Sequence, residues 1–143
     1  MKAIPITSNH LPEIAKLEQL CFSEPWSEKS LALLLGSDAI GFVCIDRERV
    51  VAYGGMLWAP DEGQITNVAV HPDARRCGYA RAILAAFDTA AREHHAEQIS
   101  LEVRESNTAA IRLYATDGYE VLGRRKNFYR NPREDALVMI KKL

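Results

Sequence analysis

The consecutive residues Arg75-Arg76-Cys77-Gly78-Tyr79-Ala80 have the types and spacing of an anion site. They follow a β-rich run at 64–70, in which Val68 and Val70 are stiff at χ1. His71-Pro72-Asp73 ends that run, because proline lacks the donor a central strand needs. They precede a run in which Ile83, Leu84, Phe87 and Ala91 share one side of a helix of period 3.6. Backbone amides opening such a helix have no partners within it, and the helix dipole adds partial positive charge there. Two arginines beside those amides suit a phosphate group; the plain alternative is a helix start with basic surface residues and a turn glycine. One glycine excludes the dinucleotide fingerprint G-x-G-x-x-G, and no Gly-Lys-Ser/Thr follows to make a Walker A loop.

Glu102 is the second candidate. In the run 98–104, Ile99, Leu101 and Val103 point one way and Glu102 the other. Parallel strands of an α/β sheet are usually covered on both faces, so a carboxylate there sits at the strand end or lines a cavity. Its strand neighbours the one feeding the anion loop, and binding sites lie beyond the carboxyl ends of such strands. That favours a cleft residue over a solvated strand-end glutamate. Tyr114 lies on the following helix one turn from Ile111, where a core tyrosine with a satisfied hydroxyl competes with a site residue. Asn107 reads as a helix N-cap that can also touch a bound cofactor.

Other residues carry weaker signals. Cys77 stands near a helix start, where a thiol pKa falls, but no histidine partner is close in sequence and a packing role fits better. His94-His95 complements a helix C-terminus, and without H-E-x-x-H it does not suggest zinc. His71 reads as a turn residue. Trp26, Phe128 and Tyr129 fit groove walls and core anchors equally.

The elements that must position these groups can be read along the chain. A strand is expected at 3–7, then a helix capped by Ser8 or Asn9, with Pro12 in its first turn and Leu11, Ile14, Leu17 and Cys21 on its buried side. Ser27 caps a second helix, with Leu31, Leu34 and Leu35 inward and Gly36 at its end. Strands at 39–46 and 50–58 form a hairpin around Arg47-Glu48-Arg49. After Asp61-Glu62-Gly63 come the strand 64–70, a helix over about 80–94, the strand 98–104 and a helix over 108–116 closed by Asp117-Gly118. Strands at 119–125 and 136–142, joined by a polar loop through Asn131-Pro132, complete the chain. Strand, long helix, strand is a βαβ unit, so 64–70 and 98–104 should run parallel. The surrounding hairpins make the sheet mixed, with helices on both faces.

At 143 residues the chain suits one domain, long enough to bury roughly two-thirds of its unfolded surface. Its 48% hydrophobic and 26% charged content describe an ordinary globule. A net charge of −1 argues against a broad nucleic-acid surface. Cys21, Cys44 and Cys77 are odd in number and form no C-x-x-C, which speaks against a disulfide framework. No signal-peptide pattern or long apolar run is present, so a cytoplasmic protein without membrane contact is expected.

The pattern Arg75-x-x-Gly78-x-Ala80, after a strand and before an amphipathic helix, resembles the pyrophosphate loop of the GNAT acetyltransferases. The element order resembles the GNAT fold over nearly the whole chain, as a single domain over 1–143 with a mixed central sheet flanked by helices. The run from Leu101 through Glu102, Ser106 and Asn107 to Tyr114 is similar to the bacterial members that acetylate the N-terminal alanine of a small-subunit ribosomal protein. So are the stretch 22–29, with Pro25-Trp26-Ser27, and Arg133-Glu134-Asp135-Ala136. The resemblance implies an enzyme using acetyl-coenzyme A and no metal, with a protein N-terminus as acceptor. It implies Glu102 as general base and Tyr114 as general acid. Val68, Ala69 and Val70 would pair with the pantetheine arm. Arg75, Arg76, Cys77, Gly78, Tyr79, Ala80 and Arg81 would enclose the diphosphate, and Asn107 would touch the cofactor. Trp26 and Tyr129 would flank the acceptor.

Elementary chemistry suits those roles. An α-amino group has a pKa of about 7.7–8.0 against about 10.4 for lysine, so a modest base is enough to expose its lone pair. The amine attacks the thioester directly, backbone N–H groups steady the carbonyl oxygen, and a phenol protonates the leaving thiolate. Two alternatives stay open. One is the same chemistry on a lysine side chain, a polyamine or an antibiotic; the other is a non-catalytic coenzyme A-binding module.

Overall fold

The computed structural model describes residues 2–143. Strands β1 (Ala3–Pro5), β2 (Ala39–Asp46), β3 (Arg49–Ala59), β4 (Glu62–Val70), β5 (Gln98–Arg104), β6 (Glu120–Tyr129) and β7 (Glu134–Lys142) form one seven-stranded sheet in the order β1-β2-β3-β4-β5-β7-β6. Helices α1 (Leu11–Cys21) and α2 (Glu28–Leu31) cover one face, while α3 (Tyr79–Glu93) and α4 (Thr108–Thr116) cover the other. The β4–β5 pair is parallel and every other pair antiparallel, which is the mixed sheet expected.

Two core layers sandwich the middle of the sheet. Ile83, Leu84, Phe87 and Ala91 of α3 are buried along one stripe, and Phe87 meets Phe42 of β2 edge to face with centroids 5.9 Å apart. On the opposite face α1 buries Leu11, Ile14 and Leu17 against Val43 and Tyr53. The close approach of both layers depends on two adjacent glycines in β3. A Cβ at Gly54 would lie 2.4 Å from Ile83 Cγ2 and 2.8 Å from Phe87 Cζ, and one at Gly55 would lie 2.8 Å from Leu34 Cδ1. Gly54→Ala should therefore overpack the α3 layer and cost about 1–3 kcal/mol, measured as a lower urea midpoint with an unchanged slope. A wild-type midpoint in the variant would show that α3 simply moves aside.

The feature that makes a site is a parting of the strands. β4 and β5 pair only at Glu62↔Gln98, Gly63↔Ile99 and Gln64↔Ser100. Beyond that, β5 stays with β7 as far as Arg104↔Ala136, and β4 stays with β3 as far as Val70↔Ala52. At the point of divergence Ile65 pairs with Met56 and Asn67 with Gly55, which leaves Thr66 as an extra residue. Such a bulge bends its strand and increases the local twist. A cavity of about 900 Å³ fills the gap.

Several local expectations are corrected. Neither Ser8 nor Asn9 caps α1. A 3₁₀ turn at Ser8–His10 precedes it, with Thr7 at the N-cap and its backbone N–H donating to His10 Nδ1 at 3.0 Å. Leu35 is 43% exposed, not inward. After Leu31 the chain tightens into the 3₁₀ turn Ala32–Leu35, whose three residues per turn keep Leu34 inside and swing Leu33 and Leu35 out. β6 and β7 extend further towards each other than expected, leaving only residues 130–133 between them. A register shift between Arg125 and Tyr129 absorbs the polar residues there.

Candidate active site

The alternation of β5 divides its side chains cleanly. Ile99, Leu101 and Val103 are buried, while Gln98, Ser100, Glu102 and Arg104 are half-buried on the other face and line the cavity. At its floor the Glu62 carboxylate accepts from Ser100 Oγ at 2.6 Å and from the side-chain amides of Gln98 and Gln64, each at 3.2 Å. Glu102 stands further along the parted strand. Its side chain is 31% exposed, and Oε1 lies 3.8 Å from Arg125 Nε of β6.

Tyr114 arrives from α4, in the opposite layer from the one Glu102 faces. Both can line one cavity because the sheet is open between β4 and β5. Tyr114 is 8% exposed, and burial, helped by nearby Tyr129, pushes its phenol up to about 12. Tyr129 of β6 also lines the cavity. Burial, then the charge of Glu102, pushes its phenol up to about 12 against the opposing pull of Arg104. Both phenols thus stay protonated at neutral pH, within one electrostatic neighbourhood that includes Glu102.

The loop before α3 turns on a single glycine. Gly78 is the N-cap of α3 with φ 89° and ψ 7°, a left-handed conformation that glycine adopts without steric cost. No side chain caps that helix, so the first amides of α3, from Tyr79, Ala80 and Arg81, are without intrahelical partners. Arg76 and Cys77 are exposed beside them. Arg75 is turned elsewhere: its Nε donates to the Val70 carbonyl at 3.3 Å and its Nη2 lies 3.8 Å from Cys21 Sγ. Val68, Ala69 and Val70 belong to the part of β4 that β5 has left. A strand edge released by β5, with the Val70 carbonyl taken by Arg75 and Cys21, leads to an uncapped helix start; that fits an extended, amide-bearing arm that ends in a diphosphate. Asn107 caps α4 through Oδ1, accepting from Ala110 N at 3.2 Å, and also lines the cavity. His71 serves its turn, with Nδ1 accepting from Asp73 N at 3.1 Å. His94 stacks on Trp58 at 3.9 Å, away from the cavity lining. Among the described residues no three His, Cys, Asp or Glu side chains are grouped as metal ligands.

Trp26 and Tyr129 were each expected as groove wall or core anchor, and both line the cavity. Trp26 also packs on the α1 core. What holds Trp26 was missed in the sequence. Glu18 of α1 is fully buried and accepts from Trp26 N at 2.8 Å, from Asn67 Nδ2 at 3.0 Å and from the Tyr53 hydroxyl. Burial raises its pKa despite those three donors. A signal was present: Glu18 follows Ile14 by four residues and Leu11 by seven, which places it on the apolar stripe.

Residues 11–119 match the model of the Acetyltransferase (GNAT) family. The chain belongs to that family and is an N-acetyltransferase. Particular relatives narrow the neighbourhood. The chain is 33% identical over 136 residues to the [ribosomal protein bS18]-alanine N-acetyltransferase of Escherichia coli K12, covering 94% of this chain and 92% of the relative. It is 31% identical over 131 residues to a putative enzyme of the same name from Bacillus subtilis, covering 90% and 87%. The crystal structure of the E. coli ribosomal-protein-S18-alanine N-acetyltransferase superposes with a TM-score of 0.90 at 31% identity, over 99% of this chain and 92% of that one. The GNAT fold expected from the sequence is therefore the fold found, and the donor of the reaction is acetyl-coenzyme A.

Proposed function

We propose that this chain transfers acetyl to the α-amino group at a protein N-terminus, with the N-terminal alanine of a ribosomal protein as the leading acceptor. It would act in the cytoplasm as one domain over 1–143. The observation that carries the reading is the opening between β4 and β5, where Glu102 and Tyr114 line one cavity flanked by Trp26 and Tyr129. The names of the relatives support the choice of acceptor.

Acetyl-coenzyme A supplies an acetyl group already activated as a thioester. Val68, Ala69 and Val70 offer the strand edge that β5 has left for its arm, and the helix start at Gly78 and Tyr79, with Arg76, Cys77, Ala80 and Arg81, takes its diphosphate. Glu102 accepts the proton lost by the incoming amine, directly or through water. Backbone N–H groups near the Thr66 bulge are the candidates for steadying charge on the acetyl oxygen. Tyr114 faces the departing sulfur. Its phenol, near 12, is a far weaker acid than a thiol of about 8.5. Tyr114 therefore acts as a hydrogen-bond donor that steadies the departing thiolate; any proton it passes to the sulfur runs uphill and must be replaced at the phenol from water, with the thiolate otherwise leaving as the anion.

A pocket rich in unpaired carboxylates would favour small cationic amines. Of the glutamates lining the cavity, Glu62 is engaged by three donors and Glu102 faces Arg125, while Glu24 stands exposed at its edge; aromatic walls lie on either side, which favours a peptide. The test is thiol release from acetyl-coenzyme A with peptides beginning Ala-Arg or Met-Lys, beside blocked peptides carrying a free lysine. Turnover is expected with free N-termini only, rising with pH through about 7.7–8.0 as the amine loses its proton. Equal turnover of the blocked lysine peptides would replace the acceptor class. Binding of acetyl-coenzyme A without turnover of any amine would favour the binding module.

A further inference from the structure

Residues 130–133, between β6 and β7, are exposed at every position and offer no apolar side chain to the core. Their anchor is one guanidinium. Arg104 projects from β5 on the same face as Glu102, and its Nη1 donates to the Pro132 carbonyl at 2.9 Å and to Glu134 Oε1 at 3.1 Å. Its Nη2 donates to the Arg130 carbonyl at 3.0 Å and reaches Ser23 Oγ at 3.5 Å. The plane lies over the Tyr129 ring, 4.4 Å from the centroid. Glu134 extends the link, since its other oxygen accepts from Ser106 N at 2.7 Å at the entrance to α4. Ser106, then Arg104, holds the Glu134 carboxyl below its ordinary value.

Ser23 belongs to the loop that carries Phe22 and Trp26, and Tyr129 stands on β6. Arg104 is thus the side chain that touches both walls of the cavity at once. We propose that Arg104 is a positioning residue that sets the width of the acceptor groove by clasping Tyr129 and the 130–133 turn to the loop at Ser23. The inference rests on the reading that Trp26 and Tyr129 flank a peptide acceptor. A planar fork can serve two carbonyls, a carboxylate and an aromatic face together, whereas a lysine ammonium is a single point with three donors and cannot span them.

The experiment is a steady-state comparison of wild type, Arg104→Lys and Arg104→Met with a ten-residue N-terminal peptide and with alanine amide, a free N-terminus too short to reach the groove walls. Thermal melting is recorded alongside to confirm folding. Both variants should raise the peptide KM about tenfold or more, change kcat by no more than about twofold, and leave the acetyl-coenzyme A KM and the alanine amide rate as in wild type. A role confined to stability would lower the melting temperature and the active fraction, reducing kcat for both acceptors at unchanged KM, and that pattern overturns the proposal. An unchanged peptide KM in Arg104→Lys also overturns it while leaving the acceptor class intact. Failure of the wild type itself to use the peptide would remove the acceptor reading, and the proposal with it.

Discussion

Glu102→Gln is expected to lower kcat at least about a hundredfold while the affinity for acetyl-coenzyme A stays as in wild type, because positioned acid–base catalysis contributes roughly 10²–10⁴. The substitution keeps the size of the side chain and removes its capacity to take a proton. Glu102 faces the cavity from β5, whereas the elements proposed to hold the cofactor are the edge of β4 that β5 has left and the start of α3. Binding and chemistry should therefore separate in the measurement. The pH profile gives a second readout. The phenols of Tyr114 and Tyr129 are pushed up to about 12, so the ionisation seen between about pH 7 and 9 is that of the acceptor amine. The variant, dependent on amines that arrive neutral, should follow that ionisation closely. A kcat within about threefold of wild type would remove Glu102 from the role of base.

Glu18→Ala should produce the largest loss of stability, roughly 3–5 kcal/mol, because three neutral donors lose their shared acceptor at once. It strands the Trp26 amide, the Tyr53 hydroxyl and the Asn67 amide, and each unsatisfied buried donor costs about 1–3 kcal/mol. Relief of a buried carboxylate returns part of that sum. The sign of the pH dependence follows from the raised folded-state pKa. Protons are bound more tightly in the folded state, so the stability Glu18 provides is fully present below its ordinary value of 4.5 and declines as pH rises through the folded value. The deficit of the variant, read by urea denaturation, should thus be largest in acid and narrow towards neutrality. A deficit under about 1 kcal/mol, or one that widens with pH, would contradict this account. Because Asn67 lies beside the Thr66 bulge and Trp26 on the loop before α2, both lining the cavity, the same variant tests whether these two parts of the lining share one support.

Much of the site was legible because its signals are local. The alternation that separates Glu102 from Leu101 and Val103 is the two-residue period of a strand, and β5 runs over Gln98–Arg104 as expected. Ser27 and Asn107 cap the helices they precede, since a side-chain acceptor and an orphan amide three residues on are neighbours in any such turn. Gly78 marks a backbone conformation that side chains disfavour, so its place in the loop before α3 was visible from residue type alone. The same locality misled at Leu35, where the α-helical period was carried one turn too far into a 3₁₀ segment.

What only the tertiary structure decided are the contacts between residues far apart in sequence. Periodicity shows that β4 and β5 are strands, but not that they part after Gln64 and Ser100, because β5 pairs with β7, about forty residues further on. Glu18 and Arg104 read as ordinary charged residues until Tyr53, Asn67, Ser23 and Pro132 are brought to them. Arg75 similarly turns to the Val70 carbonyl and Cys21. The sequence by itself determined the elements, the glycine turn before α3 and the placing of Glu102, through side-chain periods and backbone preferences that act within a turn or a strand. The opening of the sheet and the clasps across it depend on which surfaces meet when the chain closes on itself, and no local period records that.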